Sequence, residues 1–159
     1  MGYNFLPSEI SAAFALEQLK KLKNNINTRV KNFNTIFNHL KKYEEFFVLP
    51  NEFKGLKTGW LAFPLIIKSQ KKILRKNLQI FLEKNGIQTR TIFTGNILRQ
   101  PIMKSQFYKK CKDATINSDN VMKNGILIGC HHGLNSKEIR YMLSKFDQFL
   151  ITYKLRANK

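Results

Sequence analysis

The chain has 159 residues, 43% of them hydrophobic and 24% charged, which is enough for one domain with a packed core and ordinary for a globular protein. No run of 18 apolar residues occurs and no basic stretch precedes an apolar one at the N-terminus, so neither a membrane span nor a signal peptide is expected, and the cytoplasm is the default setting. The unusual quantity is charge: 28 Lys and Arg against 10 Asp and Glu leave a net +18.

In chain order, residues 1–7 form a loop ending at Pro7, and Ser8 stands as an N-cap with Glu9 in the first turn. Apolar residues then recur at helical spacing: Ile10, Ala13, Phe14, Leu19, Leu22, Ile26, Val30, Phe33, Ile36, Phe37 and Leu40. The pattern predicts one helix over 8–43, about 50 Å long. Such a helix bridges parts of a larger molecule or packs on a partner chain.

After Pro50 and Gly55, residues 58–67 read as a strand, with Pro64 pointing to an edge or a bulge. A second helix is expected over 71–85, its buried face made by Leu74, Leu78, Phe81 and Leu82, and Gly86 closes it at the left-handed C′ position. Residues 87–93 alternate and are β-branched, so a strand is expected, turning at Thr94-Gly95-Asn96. A short helix is expected over 106–111. Another, capped by Ser118, ends near Asn124 and is closed by Gly125. Residues 126–130 read as a strand. His131-His132-Gly133 is a loop, and Asn135 with Glu138 makes a capping box before a last helix buried through Ile139, Met142, Leu143, Phe146, Phe149 and Leu150. The expected fold is α/β of the α+β kind: a long N-terminal helix, then a small sheet with helices on one side.

The charge admits three readings: nucleic acid, drift toward lysine in an AT-rich coding sequence, or attraction of an anionic small molecule. The lysines fall in scattered pairs (Lys20-Lys21, Lys41-Lys42, Lys71-Lys72, Lys109-Lys110) with no interleaved aromatic stripe, which argues against nucleic acid. Cys111 and Cys130 form no CxxC pair and no disulfide framework. His131 and His132 are adjacent on a strand end, where side chains diverge, so a shared metal is not expected. His39 falls on a helix and is expected at the surface. The phenylalanines Phe14, Phe33, Phe37, Phe81, Phe93, Phe146 and Phe149 are expected in the core.

Three stretches carry a family resemblance. Gly2-Tyr3-Asn4-Phe5, Ser8-Glu9-Ile10, Ala12-Ala13 and Leu16-Glu17-Gln18-Leu19 make the first; Gly86-Ile87-Gln88-Thr89-Arg90 with Gln100-Pro101 the second; the Gly133-Leu134 turn the third. Together they resemble the C-terminal part of the DegT/DnrJ/StrS family of pyridoxal-phosphate enzymes, which holds sugar aminotransferases and related dehydratases. The stretch from Thr91 to Pro101, and Gly125-Ile126-Leu127-Ile128-Gly129, are similar to the branch of nucleotide-sugar 3-dehydratases rather than to the aminotransferases.

The resemblance implies the small C-terminal domain of a fold-type-I enzyme over 1–159, with 1–43 linking to a cofactor domain and 44–159 forming the α/β unit. It implies pyridoxal or pyridoxamine phosphate as cofactor, a nucleotide-diphosphate sugar as substrate, and a homodimer. The Schiff-base lysine, or the histidine that replaces it, lies upstream of the GYN loop in the family, so no catalytic residue is expected in this chain. Asn4 is implied as a donor to the cofactor phosphate of the partner subunit. Arg90, Asn96, Arg99 and His131 are the substrate-binding candidates, a guanidinium fork suiting phosphate oxygens. An aminotransferase of the same family is the nearest alternative, and a basic interaction or nucleic-acid module the next.

Overall fold

A computed structural model describes residues 8–68, 73, 75–109 and 115–157. Helix α1 runs from Glu9 to Leu40 and tightens into a 3₁₀ turn at Lys41–Tyr43, so the long helix is present close to its expected bounds. Ser8 sits at the N-cap with extended backbone, although its hydroxyl makes no capping bond. Strands β1 (Phe47–Val48) and β2 (Ala62–Ile67) follow, then helix α2 (Arg75–Lys84), strand β3 (Thr89–Arg90), helix α3 (Ile116–Asn124), strand β4 (Gly125–Gly129) and helix α4 (Ser136–Ala157).

The strands form one antiparallel sheet in the order β1-β2-β4-β3. β2 is therefore an interior strand, whereas Pro64 points to an edge or a bulge. The conflict resolves locally: β1 reaches only Ile66 and Ile67, so at Pro64 the strand pairs on one side alone, with Leu127 of β4, and a missing N–H is tolerated on the other.

Alternation along β2 and β4 separates two faces. Phe63, Leu65, Ile67, Ile126 and Ile128 are buried against Phe33, Ile36 and Leu40 of α1, Leu78 and Leu82 of α2, and Ile139, Leu143, Phe146 and Leu150 of α4. The helices so cover one face. The other carries Ala62, Pro64, Ile66, Leu127 and Gly129, all half-buried, and the exposed Arg90.

The local closures follow their chemistry. Gly86 has φ +72, and the bonds Ile87 N–H to Leu82 O and Gly86 N–H to Glu83 O make a Schellman motif at the end of α2. Asn135 Oδ1 accepts from the N–H groups of Lys137 and Glu138, while Glu138 Oε2 accepts from Asn135 N–H, completing the capping box of α4.

Other expectations need correction. The strand expected over 87–93 shrinks to Thr89–Arg90, because Phe93 turns into the left-handed region (φ 47) and Gly95 follows at φ +74. Residues 106–109 are irregular, and the helical turn lies earlier, at Pro101–Ser105, where proline starts it; 110–111 lie outside the described residues. Thr115, not Ser118, is the N-cap of α3. Gly125 closes α3 as expected, its N–H donating to Val121 O, and in extended conformation it also opens β4; a Cβ there would stand 2.5 Å from Val121 O.

The core does not take the first half of α1. Ile10, Phe14, Leu16, Leu19 and Leu22 are exposed, as is Phe93, whereas Phe33 and Phe146 are buried. His39 is half-buried, not on the open surface: its Nε2 lies 2.9 Å from Asp147 Oδ1, which also accepts from Tyr43 Oη at 2.7 Å. Burial, with that bond, pushes the Tyr43 hydroxyl up to about 12.

Candidate functional site

A cavity of about 560 Å³ opens where β3, β4, the start of β2 and the first turns of α4 meet. Its apolar floor comes from Ala62, Leu127, Ile128, Leu134 and Met142. Arg90, His131, Lys137, Glu138 and Tyr141 supply the polar wall. Register explains the placement. Arg90 lies opposite Leu127, so alternation sends both to the sheet face away from the helices. His131 follows β4 by two residues and returns over Gly129.

Two polar wall groups are already engaged. Glu138 serves the capping box, and Tyr141 Oη donates to Asn85 O at 3.1 Å, joining α4 to the end of α2. The cations Arg90 and Lys137 and the imidazole of His131 remain the cavity's characteristic chemistry: donors around an apolar floor, suited to a ligand with anionic oxygens. On the core side of β3, Glu83 Oε1 accepts from Thr89 N–H at 2.6 Å and from Thr89 Oγ1 at 2.8 Å. These bonds, helped by the charge of Arg90, hold the Glu83 carboxyl below its usual range.

The sequence candidates divide into two groups. Arg90 and His131 share this cavity. Asn96 and Arg99 share a different partner, Asp119 of α3. Asn96 is 3% exposed; its Nδ2 donates to Asp119 Oδ1 at 2.8 Å and its Oδ1 accepts from Leu98 N–H at 3.0 Å. Arg99 grips the same carboxylate with two parallel bonds, Nε to Oδ1 at 3.0 Å and Nη2 to Oδ2 at 2.6 Å. The Arg99 bonds, then that of Asn96, pull the Asp119 carboxyl down to about 2. Both side chains thus hold the 93–100 loop to α3 through intrachain bonds. Asn4 lies outside the described residues, as does Cys111. Cys130 is buried, which raises its thiol to about 11.

Sequence reasoning missed Asp119 and Asn32. Asp119 had a signal, being an acid in the first turn of a short helix. Asn32 had one too: an amide at the edge of the apolar stripe, one turn before Ile36. Its Nδ2 donates to His131 O at 3.0 Å and Leu134 O at 3.1 Å, reaching from α1 to the turn beside the cavity. His131 and His132 go separate ways: Nδ1 of His131 accepts from Gly133 N–H, and Nδ1 of His132 accepts from Arg29 Nε.

Comparison with known proteins agrees with this architecture. Residues 1–147 match the profile of the DegT/DnrJ/EryC1/StrS aminotransferase family. The lipopolysaccharide biosynthesis protein RfbH of Salmonella typhimurium is 32% identical over 149 residues, covering 94% of this chain and 34% of that protein. The GDP-4-keto-6-deoxy-D-mannose 3-dehydratase of Escherichia coli O55:H7 is 33% identical over 141 residues, covering 89% of this chain and 36% of that protein. The chain so spans about a third of the length of these relatives. A solved structure of the E. coli GDP-4-keto-6-deoxy-D-mannose-3-dehydratase with bound hydrated PLP superimposes with a TM-score of 0.81 at 32% identity, over 91% of this chain and 36% of that one. An aminotransferase from Psychrobacter cryohalolentis shares the fold at 14% identity and a TM-score of 0.85. The chain belongs to the DegT/DnrJ/EryC1/StrS aminotransferase family.

Proposed function

We propose that this chain is the C-terminal part of a pyridoxal-phosphate-dependent nucleotide-sugar 3-dehydratase serving deoxysugar biosynthesis in the cytoplasm, acting as a homodimer. The observation that carries the reading is the pairing of Arg90 with His131 in one cavity, in a chain 33% identical over nine-tenths of its length to a GDP-4-keto-6-deoxy-D-mannose 3-dehydratase. The cofactor and its Schiff-base or replacing residue belong to the part of the relatives that this chain does not match.

On this reading Arg90, with Lys137, takes diphosphate oxygens, and His131 donates to a neighbouring oxygen. Asn96 and Arg99, clamped by Asp119, fix the loop that borders the substrate. Asn4 gives its amide hydrogens to the cofactor phosphate of the partner subunit. When bound, pyridoxal or pyridoxamine phosphate supplies the electron sink that loss of a hydroxyl beside a keto carbon requires. The donor set described fits the substrate's anionic part, and no described residue is assigned to the cofactor.

The exposed first half of α1 supports the same reading. Its large apolar residues Ile10, Phe14, Leu16 and Leu19 are all exposed, surface of the kind that another part of a larger protein covers. Aminotransfer is the second reading, favoured by 25% identity to a UDP-4-amino-4,6-dideoxy-N-acetyl-beta-L-altrosamine transaminase of Campylobacter jejuni.

Two chimeras separate them, one placing this chain behind the upstream portion of the E. coli dehydratase and one behind that of the C. jejuni transaminase. The first, supplied with cofactor, glutamate and GDP-4-keto-6-deoxymannose, is expected to yield a sugar lacking the C3 hydroxyl while the second stays inactive. Activity of the second alone would establish aminotransfer, and two inactive but folded, cofactor-loaded chimeras would contradict both. Arg90→Ala in the active chimera is expected to raise KM about tenfold, the scale of one charge-assisted hydrogen bond.

A further inference from the structure

We propose that Asn32 is a positioning residue that fixes His131 as a neutral imidazole donating Nε2–H into the cavity, an assignment that rests on reading the cavity as the anion site. Three constraints converge on this ring. Gly133 N–H donates to Nδ1 at 3.2 Å, so Nδ1 carries the lone pair and the proton sits on Nε2. The ring lies between two glycines. A Cβ on Gly133 would stand 3.1 Å from Nδ1, and one on Gly129 would stand 3.6 Å from Cδ2 and 3.8 Å from Nε2. The Cδ2–Nε2 edge thus overlies Gly129, where both residues border the cavity.

The third constraint comes from 99 residues away. Asn32, 7% exposed, donates through Nδ2 to His131 O and Leu134 O, the two carbonyls that bracket the turn. The turn's own closing bond, Leu134 N–H to His131 O, uses one of the same carbonyls. Holding both carbonyls sets the path of Gly133, and Gly133 N–H in turn sets the tautomer. Nothing in this chain of bonds touches a ligand directly. A buried amide in α1 therefore acts on the cavity through the turn that carries His131 and Leu134.

The partner atom this geometry suits is an anionic oxygen. A neutral Nε2–H donor, beside the cations Arg90 and Lys137, complements phosphate without adding a third fixed charge. Asn32 does not line this cavity; its amide sits in the α1–turn contact.

The experiment uses the 159-residue chain and long-range ¹H–¹⁵N spectra of its histidine rings, followed during titration with inorganic pyrophosphate. In the unmodified chain, His131 is expected as the Nε2–H tautomer, with its ring signals moving as pyrophosphate binds. Asn32→Ala is expected to mix the His131 tautomers and weaken pyrophosphate binding about tenfold while the amide spectrum stays dispersed. Asn32→Asp keeps the shape but puts an acceptor where a donor is needed, and is expected to do the same. A purely Nδ1–H tautomer in the unmodified chain would overturn the assignment. So would a tautomer that neither folded Asn32 variant changes. If the tautomer responds to Asn32 but pyrophosphate does not bind, the positioning role stands and the reading of the cavity as an anion site falls. Should both variants unfold, Asn32→Ser, which keeps a donor but shortens its reach, takes their place in the same test.

Discussion

Asp119 accepts three hydrogen bonds from two side chains that lie 20 and 23 residues earlier, and the 93–100 loop depends on it. Its folded-state value of about 2 lies below the ordinary 3.8, so its contribution is fully present above pH 3.8 and is lost as pH falls through about 2. The Arg99 Nε–H and Asn96 side-chain amide resonances are expected to hold their positions at pH 4 and to move only near pH 2. Asp119→Asn is expected to expose the Arg99–Gln100 bond to trypsin at neutral pH; unchanged resistance would show that the clamp is idle. Two glycines make a second contrast. Both Gly86 (φ +72) and Gly95 (φ +74) are left-handed, but a Cβ at Gly86 meets nothing within 4 Å whereas one at Gly95 would stand 2.3 Å from Met122 Cβ. Gly86→Ala is expected to cost about 1 kcal/mol in urea unfolding, the backbone term alone. Gly95→Ala is expected to cost clearly more.

At the scale of elements, what was legible in the sequence was what local chemistry decides. The capping box of α4 and the glycine end of α2 use residues within a few positions of each other, and both stand where the sequence puts them. Asn135→Ala removes the side-chain acceptor for two N–H groups and is expected to destabilise the chain by about 1 kcal/mol in thermal unfolding. Elements set by distant partners were not legible. β1 is two residues long and exists because Ile66 and Ile67 offer it an edge. β3 stops early because Phe93 reverses the chain despite its β-branched neighbours. The candidate site was half legible for the same reason. Residue type picked out Arg90 and His131, whose shared cavity depends on strand register; the Asp119 clamp and Asn32 join positions no local pattern connects.

For the whole molecule, the telling feature is a helix that the chain's own core uses for only half its length. A stripe at three- and four-residue spacing, Leu19, Leu22, Ile26, Val30, Phe33, Ile36 and Leu40, passes from exposed at its start to fully buried at its end. One face, continuous in phase, therefore serves the chain's own core at one end and meets none of it at the other. Exposed apolar surface of this kind drives association. Leu19→Lys with Leu22→Lys is expected to reduce self-association in sedimentation without lowering the melting temperature, since neither residue belongs to the core. On the proposed reading, this chain binds the substrate's anionic part while the cofactor chemistry resides in the portion of its relatives that it does not match. The direct measurement is the absorbance of the 159-residue chain mixed with pyridoxal phosphate, before and after borohydride. No imine band is expected. A stoichiometric imine band that borohydride abolishes, with the cofactor left attached to one residue of this chain, would contradict it.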